Sequence, residues 1–284
     1  MITRLRHVVE TLILLTSLTL LGGICLLWTL FALPLLLVLP PGPGRRCGRL
    51  GILLGFRLYV WTLILMGAYR LDLRALWVLR EGPPVVLAPN HPSLIDALLI
   101  IAHEPRVACV MKSALMNNVF LGAGARLARY IRHDPPRRMI HEAVAELRRG
   151  GIVLLFPEGT RTTHPPINTL QAGVGMIAKE AGVSVQTLII ETDSPYARKG
   201  WSLFRRPSMP IAYRVRLGRR LDPPVDVRAF IVQLDQYFRA ELAGAWQNQW
   251  LAAGAQPGSS ASAECVPPTQ PRSSASAESL PPGS

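Results

Sequence analysis

Hydrophobic positions fall into two regimes along this chain. From Thr11 to Gly44 there is no charged side chain. As a helix this stretch would run roughly 50 Å, against about 30 Å of bilayer hydrocarbon. Pro34 is expected to kink it, and Gly22-Gly23 lies near its middle. Two arrangements fit: one long tilted span, or a re-entrant hairpin that enters and leaves on one side. Arg4 and Arg6 precede the stretch, and Arg45, Arg46 and Arg49 follow it. Positive charge on both flanks suits the hairpin, because basic residues stay cytoplasmic. Residues 1–49 are therefore read as a membrane anchor. Residues 50–69 are apolar again but interrupted by Arg57, and they carry Tyr59, Trp61 and Tyr69. Such residues favour the membrane interface, so an interfacial amphipathic helix is predicted, with a buried core helix as the alternative.

From residue 70 short apolar runs alternate with amphipathic ones. Val85–Ala88, Arg106–Met111, Ile152–Phe156, Ser184–Ile190 and Pro210–Leu217 read as strands. Leu94–Ala102, Gly173–Glu180 and about Val225–Trp250 read as helices. Another helix should follow Asp134-Pro135-Pro136, with Asp134 as its cap and Gly150 as its end. Its apolar face is Met139, Ile140, Ala143, Val144 and Leu147, at three-to-four spacing. The uninterrupted apolar run Ile152–Phe156 fits a strand covered on both faces. The alternation predicts an α/β fold: a mixed sheet covered by helices, spanning residues 70–252 behind the N-terminal anchoring helical segment. Residues 253–284 are Ser, Ala, Pro and Gly with almost no large apolar side chain, and are expected to be disordered.

Composition sharpens this picture. The 284 residues are 49% hydrophobic and only 17% charged, with mean hydropathy +0.26, which fits an anchored globular domain. A net charge of +13, almost all arginine, attracts polyanions. Next to an apolar anchor, membrane lipids are the expected partner rather than nucleic acid, for which there is no zinc finger, RNP-like or helix-turn-helix signature. The expected location is the cytoplasmic face of the inner (plasma) membrane. Cys25, Cys47, Cys109 and Cys265 lie far apart without metal-ligand spacing, so neither a zinc site nor a disulfide framework is expected.

Two segments carry candidate chemistry. Asn90-His91-Pro92-Ser93-Leu94-Ile95-Asp96 joins a predicted strand to a predicted helix. Pro92 biases His91 away from helical angles, leaving the imidazole in a turn at the C-terminal edge of the strand, where open α/β sheets bind ligands. Asp96, in the first helical turn, could reach back to one ring nitrogen and leave the other as a general base. The competing reading is structural: Ser93-Leu94-Ile95-Asp96 fits a capping box, with Asp96 satisfying backbone donors. The second segment, Phe156-Pro157-Glu158-Gly159-Thr160-Arg161, follows the Ile152–Phe156 strand and shares His91's edge if the two strands run parallel. Gly159 permits close backbone approach, and Arg161 could grip a phosphate, although a plain surface turn would read the same way. Lys112, after the Arg106–Met111 strand, is another possible phosphate contact.

Taken together, the two segments resemble the HX4D and FPEGTR blocks of the glycerolipid (lysophosphatidate-type) acyltransferases, the second residue for residue, over about residues 70–220. The resemblance implies that His91 deprotonates an acceptor hydroxyl, which attacks a thioester donor without an acyl-enzyme, with Asp96 orienting His91. It places Glu158, Gly159, Thr160 and Arg161 at the acceptor phosphate, and Arg132, in a looser match to an intervening block, beside them. The donor is acyl-CoA or acyl-carrier protein, and neither a cofactor nor a metal is required. A later block departs from the family pattern, with Gln186-Thr187 where valine-proline is usual, which leaves the acceptor open between lysophosphatidic acid and another hydroxylated lipid. The reading from another class is a non-catalytic membrane-bound lipid-binding protein.

Overall fold

The computed structural model of the protein describes residues 2–246 and 248. It opens with two long helices, α1 (Ile2–Val38) and α2 (Pro41–Leu65). Both are long and apolar enough to cross a membrane. The expected division at residues 49 and 50 falls inside α2, which is one uninterrupted helix. The break lies at Pro40-Pro41 instead, where adjacent prolines remove successive backbone donors. Pro34 does not end α1.

The two helices and the domain meet through small residues. A Cβ on Gly48 would come within 2.3 Å of the Ala128 backbone nitrogen. The Trp28 ring lies between Gly51 and Gly124, filling the space their side chains would need. Arg49, buried on α2, donates to Glu146 Oε1 at 2.7 Å and to the Ala128 and Arg106 carbonyls at 3.1 Å. The opposite side of α2 leaves Leu50, Leu54, Leu58, Trp61 and Leu65 exposed.

Beyond the helices come β1 (Tyr69–Asp72), a 3-10 segment (Arg74–Glu81), β2 (Val86–Pro89), α3 (Ile95–Ile101) and β3 (Val107–Met111). Next are the short helices α4 (Ser113–Met116) and α5 (Gly122–Leu127), then β4 (Ile131–Arg132), α6 (Pro136–Arg148) and β5 (Ile152–Leu154). The described elements close with α7 (Gly173–Ala181), β6 (Val185–Thr192), β7 (Ile211–Leu221) and α8 (Val227–Leu242). The seven strands form one sheet in the order β1-β7-β6-β2-β5-β3-β4. All pairs are parallel except β6 with β7.

Alternation along each strand separates two apolar layers. Leu87, Ile152, Leu154, Leu188 and Ile190 face α2 and α3, whereas Val86, Val153, Leu155, Val185 and Ile189 face α6, α7 and α8. Burial on both faces is why these strands read as continuous apolar runs.

Two expected helix ends differ. Asp134 does not cap α6; its carboxylate accepts the Ser113 hydroxyl, and Pro135 stands at the cap position. The last helix, α8, is capped by Asp226, whose side chain accepts the Arg228 and Ala229 amides, and ends at Leu242, just before Gly244; the expected end at Trp250 lies outside the described residues. Residues 253–284, the expected disordered tail, lie outside the described residues.

Candidate active site

The strands that precede the two motifs, β2 and β5, are adjacent and parallel, with Val86 opposite Val153 and Leu87 opposite Leu154. Their C-terminal ends therefore deliver both motif loops to one edge of the sheet. His91 Nδ1 lies 2.9 Å from Asp96 Oδ2, and the same oxygen accepts the Ser93 backbone N–H at 2.8 Å. One carboxylate oxygen thus both accepts a backbone N–H at the start of α3 and meets the imidazole. Asp96 is fully buried, and that burial pushes its carboxyl above the ordinary aspartate value, opposed by His91 and by the Arg161 charge. With Nδ1 held, Nε2 is the ring nitrogen left for a substrate. The imidazole stacks on Phe156 at 3.8 Å between centroids, so the first residue of the second motif fixes the plane of the ring.

Glu158 ties the loops to each other. Its Oε1 accepts the His91 backbone N–H at 2.9 Å and the Thr162 hydroxyl at 2.8 Å, and its Oε2 accepts the Asn168 N–H at 2.9 Å. The Thr162 N–H returns a bond to the His91 carbonyl at 2.7 Å. Burial pushes the Glu158 carboxyl upward, against these hydrogen bonds. Glu158 is therefore placed to fix the backbone of His91, a contact with the chain itself. Gly159 adopts φ +64°, a left-handed conformation that favours glycine, and Thr160 lies half-buried in the same turn.

Arg161 is half-buried and committed to the backbone. Its Nη1 donates to the Ala197 carbonyl at 2.8 Å and the Arg198 carbonyl at 3.1 Å. Burial lowers its guanidinium below the ordinary arginine value, with Asp96 opposing. Lys112 and Arg132 stand at the same sheet edge, at the ends of β3 and β4. With neighbouring strands about 4.8 Å apart, they sit roughly 10 Å and 14 Å across the sheet from the β2 end that carries His91. Lys112 is exposed, and Arg132 reaches Asn117 Oδ1 at 3.4 Å. Arg132 also lines an arginine-rich cavity of about 740 Å³ with Arg126, Arg129 and Arg138.

Sequence reasoning passed over Thr162, Asn168 and the carbonyls of Ala197 and Arg198, whose roles appear only through contacts between loops. Asn90, the first residue of the His91 motif, donates to the Ile190 carbonyl at 2.8 Å and accepts the Ile190 N–H at 2.7 Å, joining the motif to β6. Among the described residues no group of three or more His, Cys, Asp or Glu side chains converges to hold a metal.

Known proteins place this arrangement in context. The acyltransferase family pattern matches residues 70–191, a stretch that holds both motifs. The 1-acyl-sn-glycerol-3-phosphate acyltransferase of Pseudomonas aeruginosa is 24% identical over 202 residues, covering 69% of this chain and 74% of that protein. The lyso-ornithine lipid O-acyltransferase of the same organism is 33% identical over 147 residues, 49% of this chain and 54% of that protein. The crystal structure of the 1-acyl-sn-glycerophosphate (LPA) acyltransferase from Thermotoga maritima shares the fold, with a TM-score of 0.60 at 16% identity over 89% of this chain and all of that one. The motif pair and these relatives agree: over residues 70–191 the chain matches the acyltransferase family, and it is similar to lipid O-acyltransferases.

Proposed function

We propose that this enzyme moves a fatty acyl group from the thioester of acyl-CoA or acyl-carrier protein to the hydroxyl of a lysophosphatidate-type acceptor. The observation that carries this reading is the 2.9 Å contact between His91 Nδ1 and a fully buried Asp96 carboxylate, one strand from the Glu158 loop. His91 Nε2 takes the proton of the acceptor hydroxyl as its oxygen attacks the thioester carbonyl. The Asp96 charge stabilises the imidazolium that forms. The carbon–sulfur bond then breaks, and the proton held by His91 passes to the departing thiolate, so no acyl-enzyme is needed.

A second acceptor class has its own support. The relative at 33% identity is a lyso-ornithine lipid O-acyltransferase, and Arg161 Nη1 is engaged by two backbone carbonyls. An acceptor built on ornithine leaves no glycerol phosphate for Arg161 to grip. The test is a purified-enzyme assay with radiolabelled acyl-CoA and acyl-carrier protein, each offered lysophosphatidic acid or a lyso-ornithine lipid. Acylated lysophosphatidic acid supports the first reading, acylation of the ornithine lipid alone supports the second, and no acylated product overturns both.

Membrane placement follows from α1. Near its start, Glu10 Oε1 accepts the Met209 N–H at 3.2 Å; further along, the Thr29 hydroxyl donates to the Phe120 carbonyl at 2.8 Å. A helix bound to the domain at both places cannot carry one end across the bilayer. The reading is a hairpin that enters and leaves lipid from one side, with its exposed leucines in the acyl layer. Arginines on both flanks favour the cytoplasmic face.

A further inference from the structure

We propose that the tip of the loop between β6 and β7, Lys199 to Arg205, is a second bilayer contact, one that seats the catalytic edge against anionic lipid. The proposal rests on the membrane placement above. Because β6 runs parallel to β2, the loop over residues 193–210 leaves the sheet at the edge that carries His91. Long loops without regular structure are uncommon in compact domains and are often functional.

The near half of the loop is bonded to both motifs. The Tyr196 carbonyl accepts the Ser93 hydroxyl at 3.1 Å. The Ala197 carbonyl accepts both the Leu94 N–H at 3.1 Å and Arg161 Nη1 at 2.8 Å. Ala197 is buried at φ +58°, a conformation that a side-chain-bearing residue seldom adopts. The far half is bonded to α1. Arg206 pairs with Glu10, whose Oε1 also accepts the Met209 N–H, and Arg6 donates to the Met209 carbonyl at 3.3 Å.

Between these ties the tip is apolar and exposed. Leu203 is 47% exposed and Phe204 75%, next to Trp201. Arg205 lies 4.5 Å over the Trp201 ring, and Lys199 is exposed. Leu5 and Leu12, on the turns of α1 either side of Glu10, are likewise exposed. An apolar wedge flanked by Arg198, Lys199 and Arg205 matches a surface with acyl chains below and phosphates at its rim. An acceptor lipid leaving that surface meets the sheet edge that bears His91.

The experiment uses the full chain in detergent micelles, in neutral nanodiscs and in nanodiscs containing anionic phospholipid. Backbone hydrogen exchange is followed over residues 199–206, and acyl transfer is measured with a long-chain acceptor in the disc and a short-chain acceptor dissolved as monomer. The expected result is at least a tenfold slowing of exchange in anionic discs, lost in Leu203→Ser/Phe204→Ser. The same variant should raise the KM for the disc-borne acceptor severalfold and leave kcat for the monomeric acceptor unchanged. Equal exchange in micelles and anionic discs, or equal loss of activity toward both acceptors, would overturn the proposal. Protection in anionic discs without any acyl transfer would uphold the contact and reject the proposed reaction instead.

Discussion

Asp96→Asn separates the two jobs of one carboxylate. Both hydrogen bonds to Asp96, from His91 Nδ1 and Ser93 N, end on Oδ2, while Oδ1 is buried without a hydrogen-bond partner among the described residues. An asparagine whose carbonyl oxygen takes the place of Oδ2 keeps both bonds. It cannot keep the negative charge facing the imidazolium that forms when His91 takes a proton. At an effective dielectric of about 20, two unit charges about 4 Å apart attract by about 4 kcal/mol, so turnover should fall about a thousandfold. Stability should move the other way. Burial raises the Asp96 carboxyl, so the folded chain holds that proton more tightly than the unfolded one. The stabilisation this gives is complete below the unfolded value of about 3.9 and is lost as pH rises through the folded value. Asparagine stays neutral throughout, so the stability of the variant relative to the parent should improve between about pH 4 and pH 8. Initial-rate measurements of thiol release, with urea denaturation at both pH values, check the two halves. A folded variant that keeps more than about a tenth of parental turnover would refute the charge argument and leave Asp96 as a helix cap.

Other substitutions probe neighbouring parts of the site. His91→Ala should lower turnover by about a hundredfold or more without loss of fold, because it removes the base from a partly exposed position; rates alongside circular dichroism check this. Glu158→Gln turns an acceptor oxygen into a donor facing the N–H of Asn168 or His91, so thermal denaturation should register a loss of about 1–3 kcal/mol. Gly159→Ala forces a methyl-bearing residue to φ +64° and should cost about 1 kcal/mol, measured in the same way. Arg49→Ala leaves Glu146 buried beside the α2 contact without its nearest partner, and urea titration should show a loss of about 3–5 kcal/mol.

Much of the framework was legible in the sequence because it rests on local pattern. The apolar stretch of α1, the strand preceding each motif, and the turns that carry His91 and Gly159 all follow from residue order. The two motifs were legible as a pair because each is contiguous. What the sequence could not decide was which of two local readings wins at Asp96, since capping and orienting His91 call for the same residue at the same spacing. Only the approach of the His91 ring, stacked on Phe156 from a neighbouring strand, makes one oxygen serve both. The commitment of Arg161 to the Ala197 and Arg198 carbonyls, and of Asn90 to Ile190, joins residues tens of positions apart. Such bonds leave no periodicity along the chain. The boundary at residue 49 differs for a related reason: Arg45, Arg46 and Arg49 look like the end of an anchor, but they lie inside α2, where Arg49 turns into the domain and pairs with Glu146. Local sequence thus set which elements form and where the reactive side chains stand on them, while tertiary packing chose the partner of each buried polar group, because burial requires a partner and only the folded chain brings one within reach.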